Sequence, residues 1–334
     1  MVNIGIIGSG TMARVHAERF ASMEGATVTA VSSPNTAEAF VAEHAPDASA
    51  YADPAALCGA DDVDAVDICS PTHLHREQIE LAAAHGLDVL CEKPLARTAA
   101  EAAEIARIVD DAGIVCMVAH VTRFFDEYAA ARERVDAGDV GEVGVATARR
   151  AVGFGGERGW FGDDEKSGGV LLDLAIHDFD YLRWTVGEVE RVFTRLAEWG
   201  PGNESQVALT LLRFENGAVG HVETEWMRLG GLPFSASFEF AGDTGLLEYD
   251  NQEVRPIQHF GPEGSHVPVD PVGDAIPLAV DGYRRELEHF VDCVRERSEP
   301  LVTVADGAAA MHISLAAIES AKRGAPVSPA EVAR

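Results

Sequence analysis

The sequence predicts an α/β fold in which a doubly wound parallel sheet is followed by an α+β domain with an open, mostly antiparallel sheet. In about the first 120 residues, short apolar segments alternate with segments of helical period, which is the pattern of βαβ units. Beyond them the hydrophobic period becomes two, as in antiparallel strands with one buried face. The predicted domains are residues 1–120 and 121–334, and the C-terminal helices can pack back on the first domain.

The first domain alternates strand and helix along the chain. Residues 2–8 form an apolar run that ends in glycine, as expected of a buried parallel strand. The predicted strands cover 2–8, 27–33, 65–70, 88–94 and 114–120. The predicted helices cover 11–23, 35–44, 76–86 and 98–113. Right-handed crossovers between these strands produce a doubly wound sheet.

The second domain is predicted to be built around an antiparallel sheet. Its strands cover 142–152, 189–199, 206–214, 218–226 and 235–245, and two amphipathic helices follow at 281–296 and 305–324. The Asn216-Gly217 pair is typical of a hairpin turn. The bulky side chains assigned to the outer face of this sheet are Phe193, Trp199, Trp226 and Phe238. Because a solvated face does not need so many, we expect a homodimer or homotetramer through the sheet, and the alternative is burial of these side chains against the domain's own helices.

The composition predicts a cytoplasmic protein that binds neither nucleic acid nor membranes. The formal net charge is −29, and the acidic residues are spread along the chain, which disfavours contact with nucleic acid and anionic lipid. Such a charge density is tolerable in a salt-rich cytosol, so we expect a salt-adapted source. The first residues show no signal peptide, no apolar run is long enough to span a bilayer, and the 5 cysteines are scattered.

A glycine motif at the first strand–helix junction predicts dinucleotide binding. The segment Gly8-Ser9-Gly10-Thr11-Met12-Ala13 reads GxGxxA. In a Rossmann βαβ unit the first glycine allows a tight turn and the second lets the backbone approach a pyrophosphate. The small Ala13 permits close packing of helix on strand, and the helix N-terminus, with Thr11 and Met12, presents N–H groups to the phosphates.

The end of the second predicted strand bears on the choice between NAD and NADP. An NAD-binding Rossmann domain usually carries an acid about 20 residues after the glycine motif. Here Ser32, Ser33 and Asn35 stand in that region, and no carboxylate repels a 2′-phosphate. Since no arginine is nearby to bind the phosphate, both cofactors stay open, with NADP slightly favoured.

Polar residues follow two later strands at their carboxyl ends, where ligands of doubly wound sheets bind. The third main strand is followed by Ser70-Pro71-Thr72-His73-Leu74-His75, and the next by Glu92-Lys93-Pro94. Lysine is a poor choice for a core, but at a strand end it can reach a substrate hydroxyl. A third polar pair, Asp173 and His177, lies four residues apart in the apolar segment 168–184, which is predicted to be one helix.

The order of these motifs resembles the glucose–fructose oxidoreductase/inositol dehydrogenase/MocA family over nearly the whole chain, from IGIIGSGTMA through LCEKPLARTAAEAAEI to GGVLLDLAIHDFDYLRW. The resemblance implies a Rossmann domain followed by an α/β domain with an open sheet. It also implies oxidation or reduction of sugars, cyclitols or related compounds with NAD or NADP.

The resemblance assigns roles to individual residues. Lys93 would contact the nicotinamide ribose and the reacting hydroxyl, and Glu92 would lie near that ribose. The segment of Ser70, Pro71, Thr72, His73 and His75 would line the cofactor, although Thr72 stands where many relatives have Asn. The residues expected to meet a polyhydroxylated substrate are His120, Arg123, Trp160, Asp173 and His177. Val121 and Thr122 depart from the Asn that relatives often carry ahead of the arginine.

The predicted reaction is hydride transfer between nicotinamide and a secondary hydroxyl or carbonyl of a sugar, inositol or related polyol. His177 would be the acid/base, because its unperturbed pKa lies near neutrality, and Asp173 would orient it or bind the substrate. Lys93 would stabilise the developing alkoxide, and no metal is needed.

Three other interpretations stay open at this point. Asp173 and His177, with His120 as a third ligand, have a spacing that suits a metal. Some members of the family use tightly bound NAD as a transient oxidant in glycoside cleavage, and net NAD(P)H formation from a free sugar would argue against that chemistry. A non-catalytic, cofactor-sensing regulator would be expected to lack Lys93 or His177.

Overall fold

The computed structural model describes residues 1–153, 160, 163–200, 204–228, 232–252, 257–261, 264–266 and 282–333. It divides into two compact units, and the first comprises Met1–Phe124 with Asp281–Ala308. The second comprises Phe125–Val280 with Ala309–Arg334. Among the described residues, no helix combines the length and apolarity that crossing a bilayer requires.

The first unit contains the predicted doubly wound sheet, so this part of the fold class is confirmed. Its six strands are all parallel, in the order β3-β2-β1-β4-β5-β6. The strands are β1 Val2–Ile7, β2 Ala26–Ser32, β3 Ser49–Tyr51, β4 Ala65–Ile68, β5 Asp88–Glu92 and β6 Cys116–Ala119. Because the order reverses direction between β1 and β4, the ligand crevice of such a sheet opens at the carboxyl ends of these two strands.

Helices surround this sheet. They are α1 Thr11–Phe20, α2 Ala37–His44, α3 Pro54–Cys58, α4 His75–Ala84 and α5 Ala99–Ala112. Two short 3₁₀ turns, Thr72–Leu74 and Val121–Phe124, precede α4 and follow β6. Helix α10 (Gly282–Glu296) packs on α1 and β1, and α11 (Val304–Arg323) begins in this unit. Strands β1, β4, β5 and β6 are buried along almost their whole length, which is why they read as continuous apolar runs.

The second unit contains a mixed, mostly antiparallel sheet of eight strands, which confirms the rest of the fold class. The order is β14-β13-β12-β11-β7-β10-β9-β8, and only β7 and β10 pair in parallel. The strands are β7 Val143–Gly153, β8 Val189–Trp199, β9 Ser205–Phe214, β10 Val219–Met227, β11 Ser235–Gly242, β12 Leu246–Asp250, β13 Ile257–Gly261 and β14 Gly264–His266. The helices of this unit are α6 Asp126–Asp136, α7 Asp164–Ser167, α8 Gly169–Asp173, α9 Ile176–Val186 and α12 Pro329–Val332.

One face of this sheet packs on a core and the other faces outward. Two of the four bulky side chains assigned to the outer face are placed wrongly by the sequence analysis, because Trp226 and Phe238 point inward and join the core cluster. The outward positions that carry exposed apolar side chains are Trp199, as predicted, together with Val145, Leu209, Leu211 and Val219. Alternation along a strand defines two faces, but it does not say which of them is buried.

Candidate active site

The glycine loop between β1 and α1 is shaped for a dinucleotide. Gly8 has a φ of +123°, and a Cβ there would lie 2.6 Å from the carbonyl oxygen of Cys69 at the end of β4, so only glycine fits. A Cβ at Gly10, by contrast, would meet nothing within 4 Å. Gly10 precedes the first turn of α1, where Thr11 is exposed, Met12 is half-buried and Ala13 packs inward. Open backbone at a helix N-terminus fits a pyrophosphate.

A cluster of hydroxyl groups stands at the end of β2, where the adenosine ribose of a dinucleotide binds. The Ser9 Oγ lies 3.0 Å from Ser33 Oγ and 2.6 Å from Thr36 Oγ1, and the last two oxygens are 2.7 Å apart. Asn35 is exposed beside them. Ser32 was also predicted to contact the cofactor, and it is buried in this structure, at 1% exposed.

Thr36 and Ser9 belong to this hydroxyl cluster, although neither was among the predicted cofactor contacts. The signal was present, because Ser9 is the variable residue between the two glycines and Thr36 directly precedes α2. Only the fold brings the two loops together, 27 residues apart in the chain.

The loop after β4 separates residues that can face a ligand from residues that hold the loop. Pro71 is half-buried, His73 is exposed, and Ser70 Oγ donates to Gln78 Oε1 at 2.5 Å. Thr72 is buried in the 3₁₀ turn at the start of this loop. Of the predicted cofactor-lining residues of this loop, His73 is the most exposed.

His75, which was predicted to line the cofactor, is hydrogen-bonded to the backbone of two loops. It is fully buried, and its two ring nitrogens each lie 2.9 Å from a carbonyl oxygen, one of Ser70 and one of Pro94. Burial lowers the pKa of His75, and a neutral ring donates one N–H to either carbonyl oxygen. The side chain therefore ties the end of β4 to the end of β5.

Glu92 and Lys93 end β5 at the same edge of the sheet. Lys93 is half-buried, and its backbone N–H donates to Glu92 Oε2 at 3.0 Å. Glu92 is 7% exposed. Burial raises the pKa of Glu92, while His16 and Lys93 oppose the rise. The lysine thus stands two strands away from the glycine loop, with β4 between them.

The structure does not support a substrate contact for Arg123. Arg123 is 2% exposed, and its guanidinium donates to the carbonyl oxygen of Leu301 at 3.1 Å and pairs with Asp306 at 3.3 Å. The side chain therefore joins the turn after β6 to the segment that precedes α11 and to the first turn of α11. His120, one turn earlier, is fully buried as well. Trp160, the remaining predicted substrate contact outside α8 and α9, is half-buried.

The sequence predicted that Asp173 and His177 lie on one regular helix. In the structure they lie on two consecutive helices. Helix α8 ends at Asp173, and α9 begins at Ile176, so His177 stands in its first turn. At the break, the N–H of Ala175 donates to the carbonyl oxygen of Val170, five residues back. Both side chains are half-buried. The segment is therefore a bend that presents an acid at one helix end and an imidazole at the next helix start.

A buried ion pair that the sequence analysis did not identify fixes α9. The guanidinium of Arg150 on β7 donates to both carboxylate oxygens of Asp178, at 2.7 to 3.2 Å, and lies 3.5 Å from the hydroxyl of Tyr128. Both charged side chains are almost fully buried. Because Asp178 adjoins His177, this pair holds the helix turn that carries the imidazole.

The site residues can bind phosphates, contact a hydroxyl group and transfer a proton. The first unit has an open helix N-terminus, a hydroxyl cluster and a lysine at the same sheet edge. The second unit presents a half-buried acid and imidazole at a helix bend. A phosphate-binding loop near an ammonium group is suited to a dinucleotide and a substrate hydroxyl, and an imidazole is suited to proton transfer.

Two family models match most of the chain. Residues 2–120 match "Oxidoreductase family, NAD-binding Rossmann fold", and residues 132–328 match "Oxidoreductase family, C-terminal alpha/beta domain". The chain is similar to scyllo-inositol 2-dehydrogenase (NAD(+)) of Bacillus subtilis, with 29% identity over 98% of this chain and 96% of the relative. It is similar to levoglucosan dehydrogenase of Pseudarthrobacter phenanthrenivorans, with 27% identity over 96% of each chain.

The solved structures agree with these matches. A complex of levoglucosan dehydrogenase with NADH and levoglucosan superposes with a TM-score of 0.88, at 25% identity over 98% of both chains. A probable dehydrogenase from Thermotoga maritima superposes with a TM-score of 0.85, at 26% identity over 99% of this chain and 100% of the other.

Proposed function

Because this chain belongs to the glucose–fructose oxidoreductase/inositol dehydrogenase/MocA family of oxidoreductases, we propose that it transfers a hydride between nicotinamide and a secondary hydroxyl or carbonyl of a sugar, inositol or related polyol. Relatives named as inositol and levoglucosan dehydrogenases support that substrate class.

The observation that carries the proposal is the placement of Lys93 and the glycine loop at the same edge of the parallel sheet, where the strands have their carboxyl ends. Gly8 and Gly10 leave the N-terminus of α1 accessible to a pyrophosphate, and β5 ends two strands away at Glu92. A dinucleotide crosses the edge of a doubly wound sheet from one half to the other. An ammonium group at the end of β5 is therefore suited to the nicotinamide end.

The proposed roles of the side chains follow from their chemistry. The nicotinamide, when bound, supplies the hydride acceptor or donor. His177 takes the proton of the substrate hydroxyl, and Lys93 stabilises the negative charge that develops on the oxygen. Asp173 orients the substrate or the imidazole from the end of α8. His73 and Trp160 are further contact candidates, since the first is exposed and the second half-buried.

A screen of cofactor reduction tests this function. Aldoses, inositols and sugar acids would be offered with NAD and with NADP at molar KCl, and absorbance of the reduced cofactor recorded. We expect net reduction with at least one free polyol. Failure with every compound in both directions would contradict the proposal, and loss of the activity in EDTA would favour the metal-dependent alternative.

The hydroxyl cluster supports a slight preference for NADP. Ser9, Ser33 and Thr36 can each rotate a hydroxyl toward a 2′-phosphate, and residues 33–36 contain no carboxylate. We expect Ser33→Asp to lower the NADP/NAD ratio of kcat/KM by about tenfold or more, because a carboxylate repels the phosphate and accepts ribose hydroxyls. Initial rates with both cofactors measure the ratio, and Ser33→Ala controls for loss of the hydroxyl alone. An unchanged ratio in Ser33→Asp would remove this role from Ser33.

We also propose that the outward face of the second unit's sheet forms a homodimer or homotetramer. Leu209 and Leu211 on β9 are 47% and 54% exposed, and they flank residues of β8 and β10 on the same face. We expect Leu211→Glu to reduce the mass measured by light scattering in high salt, because a charge would be buried in the interface. Leu301→Glu, at an exposed leucine of the first unit, should leave the mass unchanged. A monomeric mass for the unmodified protein would contradict the proposal.

A cytoplasmic setting with high salt fits the charge of −29. Repulsion among the acidic groups destabilises the folded state at low ionic strength, and screening relieves it. We therefore expect the thermal midpoint to rise from low to molar KCl, as followed by circular dichroism. A midpoint that stays constant across this range would argue for an ordinary acidic protein.

A further inference from the structure

Four titratable side chains meet inside the first unit, and the proposed reaction does not account for them. This buried acid cluster consists of His16 on α1, Asp67 on β4, Glu92 at the end of β5 and Glu286 on α10. Three are fully buried, and Glu92 is 7% exposed. Buried charges normally come in pairs, so a buried cluster of one imidazole and three carboxyl groups is unusual.

The contacts within the cluster are unequal. His16 Nδ1 donates to Asp67 Oδ2 at 2.8 Å, while His16 Nε2 lies 3.6 Å from Glu92 Oε1 and has no hydrogen-bond partner among the described residues. Neither carboxyl oxygen of Glu286 has a partner among those residues. An ionised carboxylate in such surroundings would be very costly, which favours the protonated form of Glu286.

The surrounding groups do not neutralise the cluster. Cys69 Sγ donates to Asp67 Oδ1 at 3.4 Å. The charges of Glu92 and Asp67 help to raise the pKa of the nearby Cys91 thiol. The ring of Tyr283 stands 6.2 Å from that of His16, with the Arg19 guanidinium 5.8 Å from the tyrosine ring. Lys93 is a further cation that lowers the pKa of Glu92.

The electrostatics agree with shared protons. Burial raises the pKa of Glu92, and it raises the pKa of Glu286 well above the ordinary value, with the charges of Glu92 and Asp67 adding to the rise. Burial lowers the pKa of His16, but Asp67 and Glu92 outweigh it, so the net direction is upward. The protons of His16, Glu92 and Glu286 are therefore coupled to one another.

The short contact between His16 and Asp67 argues for a hydrogen bond rather than a metal centre with Cys69. These three residues form the one grouping of potential metal ligands found among the described residues. A tetrahedral zinc ion with ligands at about 2.0 to 2.1 Å would hold two of them about 3.3 Å apart. The observed 2.8 Å is shorter than that.

Glu92 connects this cluster to the ligand crevice. Glu92 is the last residue of β5 and directly precedes Lys93. Strand β5 belongs to the half of the sheet formed by β4 to β6, whereas the hydroxyl cluster lies at the end of β2 in the other half. If the adenosine half binds at β2, the nicotinamide half lies over β4 to β6. The oxidised nicotinamide is cationic and the reduced one is neutral, so only the first attracts a carboxylate.

We propose that the buried acid cluster distinguishes the two redox states of the cofactor by releasing a proton when the cationic nicotinamide binds and keeping it when the neutral ring binds. This inference rests on the proposed function. No electrons move in the step, and the released proton passes to the buffer. His16, Asp67 and Glu286 are positioning residues here, because they act on the cofactor through Glu92.

The affinity for the oxidised cofactor should depend on pH. A nearby cation lowers the pKa of a carboxyl group, so binding of the oxidised cofactor is opposed at low pH, where the cluster keeps its proton. Affinity for NAD⁺ should therefore rise with pH, by up to about tenfold per pH unit for each proton released. Affinity for NADH should change less over the same range.

Calorimetry of cofactor binding tests the inference without turnover. The heats of binding NAD⁺, NADH and ADP-ribose would be compared in two buffers of different ionisation enthalpy, which yields the number of protons released. We expect release with NAD⁺, less with NADH, and about none with ADP-ribose, which lacks the nicotinamide. If the 2′-phosphorylated pair binds better, NADP⁺ and NADPH replace the first two, since their shared phosphate cancels in the difference.

Variants identify the groups that hold the proton. Glu286→Gln, which matches the shape of the protonated acid, and Asp67→Asn should each reduce the difference between the oxidised and reduced cofactor. Glu288→Gln, on the same helix and paired with Arg284 at the surface, should retain it. Equal proton counts for the two redox states, or a difference unchanged in both cluster variants, would overturn this inference alone. Failure of all three ligands to bind would overturn the proposed function, and with it the inference.

Discussion

Replacing His177 or Lys93 by alanine is expected to lower turnover by about 10²-fold or more, the usual scale for acid–base groups. Without the imidazole, no positioned group takes the proton of the substrate hydroxyl. Without the ammonium, the developing alkoxide loses its stabilising charge. Steady-state rates with the best polyol from the substrate screen measure both effects.

Two control variants remove the same chemical groups elsewhere. His85→Ala deletes an exposed imidazole at the end of α4 that hydrogen-bonds Leu81, and Lys322→Ala deletes an exposed ammonium in the last turn of α11. Both should retain full turnover. Binding of NADH should survive in His177→Ala, because this residue is proposed to act on the substrate. Rates like those of the unmodified protein in either His177→Ala or Lys93→Ala would refute the role of that residue.

Breaking the ion pair between Arg150 and Asp178 is expected to cost about 3–5 kcal/mol of unfolding free energy. Asp178→Asn leaves the guanidinium of Arg150 buried without its anionic partner, in a site where both side chains are nearly inaccessible. The free energy is measured by urea unfolding. Because Asp178 adjoins His177, turnover should fall in the same variant at temperatures where it stays folded.

The exposed ion pair at the other end of α9 is the matched control. Glu188, which pairs with Arg183, is 56% exposed, so Glu188→Gln should change the unfolding free energy by less than about 1 kcal/mol. A double variant, Arg150→Met with Asp178→Leu, should recover most of the lost stability, since apolar residues of similar volume replace buried pairs well. Equal losses for Asp178→Asn and Glu188→Gln would contradict the importance of burial.

Local patterns predicted the elements well and their faces less well. The continuous apolar runs at β1, β4 and β5 identified buried parallel strands, and period-two segments identified β7 to β11. The phase of that alternation was wrong at Trp226 and Phe238, because both faces of a strand look alike until a core covers one of them. The predicted single helix over 168–184 is divided after Asp173. The local pattern of apolar residues did not predict this break, because the break depends on how the turn packs in the folded protein.

In the candidate site, too, some residues could be identified from their neighbours in the sequence and others only from the fold. Gly8, Gly10, Lys93 and His177 stand out from their neighbours in the sequence, because each carries an unusual residue type for its position. The burial of His75 and Arg123 does not stand out, since it depends on carbonyl oxygens and a carboxylate elsewhere in the fold.

The sequence by itself determined the fold class, the glycine loop and the residue types that the proposed chemistry needs, because these depend on periodicity and on motifs within a few residues. Only the tertiary structure decided which polar side chains hold the loops, and it alone joined Arg150 to Asp178, 28 residues away, and His16 to Asp67, 51 residues away. Burial and electrostatic coupling are set by groups that are distant along the chain and adjacent in space, and for that reason no local pattern contains them.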